Sequence, residues 1–579
     1  MKDYRKIYRE WLENPYFDEA TRQELRAIEN DESEIKERFY MDLEFGTAGL
    51  RGVIGAGINR MNIYVVRRAT QGLANYIIKQ GKADKGVTIA YDSRHMSPEF
   101  AMEAAMTLAA NGIKAYKFES LRPTPELSFA VRELGCIAGI NITAASHNPP
   151  EYNGYKVYWE DGAQFTPPHD KGVTEEVLAI EDLSSVKTMD EASALAAGKY
   201  EVIGKEIDDK YIAQVKAQVV NQKAIDEMQD QITIVYTPLH GTGNIPARRV
   251  MKELGFTHVY VVPEQELPDG NFPTVSYPNP EAKEAFELGL KLAKEKDADL
   301  VLATDPDADR LGVYVKDTKS GEYIPLTGNM SGSLLCEYVL SQKQAAGQIP
   351  SDGQVVKSIV STNLIDAVAK AYNTELIEVL TGFKWIGQQI LKNEASGHGT
   401  YLFGMEESYG CLIGTYARDK DAISATAALC EAAAYYKQKG MTLWDAMIAM
   451  YEKYGYYKDA VKSIGLSGIE GLAKIQSIME KLRNNTPVQV GDHKVLSARD
   501  YKLNTIRNME TGEVEPTGLP SSNVLYYDLS DGAWICVRPS GTEPKIKFYY
   551  GIKGNSLEDA DAKAAAMDAA VTALVDAMM

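Results

Sequence analysis

The chain has no run of about 18 or more apolar residues, so nothing in it reads as a membrane-spanning helix. It has no C-x-x-C pair either. The five cysteines, Cys136, Cys336, Cys411, Cys430 and Cys536, are scattered and odd in number, which excludes a disulfide framework or zinc site and predicts reduced, mostly buried thiols. G-x-x-x-x-G-K-[ST] is missing, so a Walker-type nucleotidase is excluded. Gly241-Thr-Gly243 begins like a dinucleotide fingerprint, but Pro246 stands where the third glycine belongs, and NAD binding is not expected. Positive charge is also scarce. The 62 Lys and Arg against 81 Asp and Glu leave a net charge of −19, which argues against general affinity for nucleic acid or anionic membranes. The first residues, Met-Lys-Asp-Tyr-Arg-Lys, carry charge where a signal segment would be apolar, so a cytoplasmic protein is expected. The sequence names no protein partner.

What is present is an ordinary globular composition, 45% hydrophobic and 25% charged, over 579 residues. That length suits roughly three to five domains. An acidic protein that binds a phosphorylated small molecule must concentrate its cations locally or recruit a divalent metal.

Helical spacing of Tyr4, Ile7, Tyr8, Trp11 and Leu12 opens the chain; Asp18 or Thr21 can cap a second helix, and a third begins near Asp31. From residue 86 the pattern becomes strand, polar loop, helix, strand: Gly86–Tyr91, a helix N-capped by Ser97 with Pro98 at N1 and ending at Gly112, then Lys114–Phe118. The same pattern returns at Ile232–Val262 and Val355–Leu380. It predicts three related α/β domains with mixed or parallel sheets, 1–206, 207–322 and 323–454. Residues 455–579 differ: a helix at Ile469–Leu482, a polar stretch at Lys494–Thr517, strands at Val524–Asp528 and Trp534–Val537, and a long Ala-rich helix. They predict a smaller α+β C-terminal domain.

Five loops carry chemistry. Thr143-Ala-Ala-Ser-His-Asn-Pro-Pro sets Ser146 and His147 in a rigid turn, with Lys156 ten residues after the serine. A hydroxyl nucleophile, an imidazole and a lysine are the parts for covalent group transfer; a Pro-rich surface turn is the competing reading. Asp305-Pro-Asp307-Ala-Asp309-Arg310 crowds three carboxylates that repel one another unless a cation shares them, and hard oxygens at this density point to Mg²⁺. An EF-hand is excluded, because Arg310 occupies its glycine position and Lys316 its glutamate. Around Arg51, the run Phe45-Gly-Thr-Ala-Gly-Leu-Arg-Gly suits an anion clamp. Glu406-Glu407-Ser408 offers groups that read sugar hydroxyls, with Lys384, Arg418 and Lys420 as nearby cations. Arg538-Pro-Ser540-Gly541-Thr542-Glu-Pro-Lys is a phosphate cradle or a hairpin turn.

Four of these motifs, in this order, resemble those of the α-D-phosphohexomutases along essentially the whole chain. Trp11-Leu-x-Asn-Pro and Thr381-Gly-Phe-Lys-Trp-Ile-Gly look most like the branch with bacterial phosphoglucomutases and phosphopentomutases. The resemblance implies four domains around a central cleft. It implies that Ser146 bears the transferable phosphate and, with Asp305, Asp307 and Asp309, holds Mg²⁺. Arg51, His147, Lys156 and Arg310 would serve the reacting phosphate, with Lys156 as a candidate acid/base. Glu406 and Ser408 would contact sugar hydroxyls, and Arg538, Ser540, Gly541 and Thr542 the phosphate that is not reacting. The implied activity is the interconversion of glucose 1-phosphate and glucose 6-phosphate, with glucose 1,6-bisphosphate as intermediate and activator. Mannose or pentose phosphates, bisphosphate synthesis, or regulation by sugar-phosphate binding without turnover are the alternatives. Two departures from the family pattern stand out. Pro306 and Ala308 fill positions that are often glycine, which predicts a stiffer metal loop, and Met405 replaces a glycine before Glu406, which leaves sugar preference open.

Overall fold

A computed structural model describes residues 1–45, 49–466, 468–540 and 543–579. The chain forms two compact units. One holds Met1–Thr327, Phe383–His398 and Tyr409–Thr442; the other holds Gly328–Gly382, Gly399–Ser408 and Leu443–Met579.

The first unit opens with helices Tyr4–Glu13, Glu19–Arg26 and Glu32–Phe39. Asp3, Asp18 and Asp31 cap them, each carboxylate accepting the N–H three residues on. Their apolar faces close on Tyr64: Trp11 stacks on Phe17 at 4.2 Å and meets Phe39 and Tyr64 edge-on. Burial of such side chains contributes about 1.5–3 kcal/mol each, which fixes this extension to helix Ile63–Lys79.

A six-stranded sheet follows, in the order Leu50–Val53, Tyr152–Trp159, Ala138–Ile142, Val87–Tyr91, Ala115–Phe118, Tyr200–Ile203. The last four run parallel and the first two antiparallel. Val87–Tyr91 and Ala138–Ile142 are buried at every position, so they read as continuous apolar runs with no alternation. Ser97 does not cap the next helix as the sequence suggested. Met96, at φ 66°, precedes the helix Ser97–Ala110, and the serine hydroxyl donates to Asp92 Oδ1 at 2.8 Å.

The second sheet of this unit runs Tyr323–Leu326, Leu311–Lys316, Leu300–Thr304, Thr233–Thr237, His258–Val261, antiparallel for its first three strands and parallel beyond. Helix Ala422–Gln438 completes the unit, packing against Gln222–Met228 and Asn244–Leu254. Its N-cap Asp421 accepts both the Tyr211 hydroxyl, at 2.9 Å, and the Tyr416 hydroxyl, at 2.5 Å.

In the second unit, Glu375–Val379, Gly353–Ser358 and Thr400–Glu406 form a parallel layer. An antiparallel sheet carries the C-terminal part: Tyr456–Gly465, Lys545–Gly554, Trp534–Pro539, Leu525–Leu529, His493–Asp500, Thr505–Asn508 and Val514–Glu515. Helices Gly468–Asn484 and Leu557–Met578 lie in its core cluster. The expected polar stretch at Lys494–Thr517 is therefore largely strand. All five cysteines are buried and free. Among the described residues no helix is long and apolar enough to cross a membrane.

Candidate active site

Ser146 sits in the connection between the antiparallel strands Ala138–Ile142 and Tyr152–Trp159, whose register sets Asn141 opposite Lys156. The loop is held from beneath by Asp92-Ser-Arg94. Asp92 accepts the Thr143 hydroxyl at 2.6 Å and the Arg94 N–H at 2.9 Å. The Arg94 guanidinium, completely buried, donates to the carbonyls of Ala145 (3.1 Å), Asn148 (2.9 Å), Pro149 (3.0 Å) and Tyr152 (3.4 Å). A planar fork with several donors is suited to gather carbonyls this way; a lysine is not. Ser146 is 2% exposed, and its Oγ has no hydrogen-bond partner. A buried hydroxyl left without a partner costs about 1–3 kcal/mol, which marks the position as functional. Gly154 lets the strands close: a Cβ there would stand 2.4 Å from the Thr143 carbonyl oxygen. Arg51 pairs with Gly154 on the neighbouring strand and is half-buried. Residues 46–48 of its glycine-rich run lie outside the described residues. His147 is exposed.

The three aspartates follow strand Leu300–Thr304. Asp305, Asp307 and Asp309 are 1%, 3% and 5% exposed, and each offers an oxygen within 4.8 Å of the others. Asp305 Oδ1 accepts the N–H groups of Asp309 and Arg310, both at 3.1 Å, which folds the loop on itself. Ala308 takes φ 52°, the left-handed region where a Cβ costs about 1–2 kcal/mol, so the expected stiffening carries strain with it. Burial first, and then the neighbouring aspartates, push the Asp305 carboxyl well up; the same causes raise Asp307 to about 6. Asp309 goes down: against burial, Lys420, Arg310 and Lys156 hold it ionised. The Lys420 ammonium lies 3.5 Å from Asp309 Oδ2 and 3.3 Å from Asp419 Oδ1. Three buried carboxylates only partly neutralised by side chains, all hard oxygen donors, fit a divalent cation such as Mg²⁺.

Two expected cations stand differently. Lys384 is buried, with its ammonium 5.1 Å from the Trp385 ring, and burial lowers its pKa. Arg418 was expected to face the substrate. Instead its side chain is fully buried, donating to the Thr415 carbonyl at 3.0 Å and pairing with Glu394, so it braces the loop that carries Lys420.

In the second unit, Glu406 Oε1 accepts the Gly382 N–H at 3.1 Å and Glu407 Oε2 accepts the Ser358 hydroxyl at 3.0 Å, with Ser408 half-buried beside them. Met405 is 0% exposed and packs where a Cβ on Gly332 would be 2.8 Å from its sulfur, so its side chain belongs to the core and not to the turn. Arg538 and Ser540 lie where strands Trp534–Pro539 and Lys545–Gly554 turn back on each other. Arg538 Nη1 donates to the Tyr549 hydroxyl at 3.2 Å, and the Ser540 N–H to the Lys545 carbonyl at 2.8 Å. Gly541 and Thr542 lie outside the described residues.

The first unit thus gathers Ser146, Lys156, Arg51, Arg310, Lys420 and the aspartates. Sequence reasoning did not assign roles to Asp92, Arg94, Thr124, Tyr158 or Asp419. For Arg94 a signal existed, a charged Asp-Ser-Arg run directly after an apolar strand; for Thr124, the Pro-Thr-Pro that opens a helix.

Profiles of the phosphoglucomutase/phosphomannomutase family match the chain at residues 42–184, 209–321 and 327–454 for its α/β/α domains I, II and III, and at 485–569 for its C-terminal domain. The chain is 36% identical over 549 residues to a phosphoglucomutase of Staphylococcus saprophyticus, covering 95% of this chain and 97% of that one. Its fold is similar to that of the phosphoprotein pp63/parafusin (phosphoglucomutase) of Paramecium, with a TM-score of 0.66 at 18% identity over 93% and 95% of the two chains. It is also similar to a phosphoglucomutase/phosphomannomutase family protein of Burkholderia thailandensis, with a TM-score of 0.62 at 21% identity over 90% and 96%.

Proposed function

The chain belongs to the phosphoglucomutase/phosphomannomutase family, and from that premise we propose that it interconverts glucose 1-phosphate and glucose 6-phosphate through a phosphoserine at Ser146. It is an isomerase that works by phosphoryl transfer, in carbohydrate metabolism. The observation that carries the assignment of the nucleophile is the buried, partnerless Ser146 Oγ in a loop clamped by Arg94.

In the proposed reaction a sugar hydroxyl forms a bond to phosphorus as the P–O bond to Ser146 breaks. The sugar's proton passes to Lys156, and the serine oxygen leaves with the electron pair. Glucose 1,6-bisphosphate then turns in the site and returns its other phosphate to Ser146 by the reverse step. Arg51, His147 and Arg310 neutralise the transferring phosphoryl oxygens, where most of the catalysis of such transfers lies. Asp305, Asp307 and Asp309, with the phosphoserine, hold Mg²⁺, which when bound adds charge stabilisation at the phosphoryl group. Lys384, Lys420, Glu406 and Ser408 read the sugar. Arg538, Ser540, Gly541 and Thr542 bind the phosphate at rest. We assign these roles to domains 1–206, 207–322, 323–454 and 455–579 of a cytoplasmic enzyme.

Intact-mass measurement should find one phosphate on the protein and none on Ser146→Ala, which should lose turnover by several orders of magnitude. A coupled assay should run from glucose 1-phosphate and be accelerated by glucose 1,6-bisphosphate, with mannose 1-phosphate and ribose 1-phosphate as comparators. Full activity of Ser146→Ala, or faster turnover of either comparator, refutes the assignment.

A further inference from the structure

Helix Thr124–Glu133 begins without a cap of its own: Pro123 precedes it and makes no side-chain hydrogen bond, and Pro125 has no N–H to offer. The first donors of the helix go elsewhere. The Thr124 N–H donates to the Asp307 carbonyl at 2.8 Å, and the Thr124 hydroxyl donates to Asp307 Oδ2 at 2.7 Å. The two residues are 183 positions apart in the same compact unit, Thr124 opening a helix and Asp307 in the loop after strand Leu300–Thr304. Both are buried, Thr124 at 0% and Asp307 at 3% exposure.

The direction of the hydroxyl is set from behind. Asn141 Nδ2 donates to Thr124 Oγ1 at 2.7 Å. An amide nitrogen only donates, so it fills a lone pair of the threonine oxygen and turns the threonine proton to Asp307. Asn141 stands opposite Lys156 in the serine hairpin, so one short relay runs from that strand to a carboxylate of the aspartate loop. One oxygen of Asp307 is thereby fixed by the nucleophile's own sheet, and the positive end of a ten-residue helix faces the same loop.

We propose that Thr124, oriented by Asn141, is a positioning residue that sets the Asp307 carboxylate for the divalent cation and registers the aspartate loop against the serine hairpin. The proposal rests on the metal-loop reading above. Partners behind a metal ligand are typically worth about 10–100-fold in metal affinity.

The test titrates the full-length protein with Mn²⁺ alone, counting free Mn²⁺ by electron paramagnetic resonance, with Mg²⁺ as competitor. Thr124→Val, nearly isosteric, is expected to bind Mn²⁺ about 10-fold more weakly than wild type. Thr124→Ser, which keeps the hydroxyl, should stay within about 3-fold. Asn141→Ala, which leaves the hydroxyl but frees its rotor, should fall between them. Thermal melting of each variant reports on folding, and if Thr124→Val does not fold, the serine and Asn141→Ala variants decide. Wild-type affinity in Thr124→Val or Asn141→Ala, or a serine variant as weak as valine, overturns the proposal. Failure of the wild-type protein to bind Mn²⁺ or Mg²⁺ overturns the metal reading itself, and the proposal with it.

Discussion

The Tyr158 hydroxyl donates to Asp419 Oδ2 at 2.6 Å, joining positions 261 residues apart. The other oxygen of Asp419 accepts the Lys420 backbone N–H at 2.8 Å and its ammonium at 3.3 Å. Lys420 in turn faces Asp309. The strand that carries Lys156 therefore also fixes a second lysine at the aspartate loop. Tyr158→Phe removes one donor to a buried carboxylate, and a hydrogen bond to a charged group is worth about 1.5–3 kcal/mol. Urea denaturation should show a loss of that size, with kcat reduced more than KM changes. Unaltered stability and kcat would show the contact to be inert.

Arg94 offers a sharper test of how the serine is presented. Arg94→Lys keeps the charge but cannot reach the carbonyls of Ala145, Asn148, Pro149 and Tyr152 together. Phosphoryl transfer should slow about 100-fold or more, as misplaced reacting groups do. Proteolysis within 145–152 should quicken. Wild-type turnover with an equally resistant loop would contradict the clamp.

The aspartates predict a pH dependence with a definite sign. Asp307 is raised from 3.8 to about 6, by burial and then Asp309, so the folded chain binds this proton more tightly than the unfolded chain does. Without metal, this group's contribution to stability rises as pH falls from about 6 toward about 4, and it is lost as pH climbs back. A divalent cation needs the ionised form, so the stabilisation it provides grows over the same window in the opposite sense. Melting curves with EDTA and with excess Mg²⁺ should be separated by about 2.7 kcal/mol at pH ~7.5 and 100-fold saturation, and by clearly less at pH ~5 with the same Mg²⁺. A gap independent of pH would remove Asp307 from the ligand set.

Met405 replaces a glycine of the family pattern directly before Glu406, but its side chain is buried against helix Gly328–Ala345. Met405→Ala should cost about 2–5 kcal/mol of stability through the cavity it leaves. The ratio of kcat/KM for glucose 1-phosphate over mannose 1-phosphate should stay within about 2-fold, a change worth less than roughly 0.5 kcal/mol. A large change in that ratio would return Met405 to the sugar-reading turn.

The local signals were legible. Of the two caps the sequence offered for the second helix, Asp18 is the one used, and the third helix begins at Asp31 as expected, because a cap is decided within three residues. The motif loops around Ser146 and Asp305 were legible too, since unusual residue types crowd into few positions. What failed depends on distance in the chain. Ser97 looks like a cap until Asp92, held by Thr143, claims its hydroxyl. Arg418 reads as a cation beside the sugar-reading turn, together with Lys420, yet Glu394 and the Thr415 carbonyl take it inward. Strands Tyr456–Gly465 and His493–Asp500 escaped notice because most of their positions are exposed or half-buried, which leaves little apolar signal. The Asp-Ser-Arg run after an apolar strand marks Arg94, but its partners are backbone carbonyls, which no residue type in the sequence identifies.

The first compact unit takes its last segment from Tyr409–Thr442, after the chain has left it and come back. On the ribosome this becomes a matter of timing. Ser146 and the three aspartates are made before residue 310, but Asp419, Lys420 and helix Ala422–Gln438 emerge more than a hundred residues later. At about 5–20 residues per second, the nascent unit waits on the order of ten seconds with its aspartate loop lacking Lys420 and with Gln222–Met228 and Asn244–Leu254 uncovered. A nascent chain halted near residue 400 would expose that apolar face to chaperones, and one released past residue 442 would already have covered it.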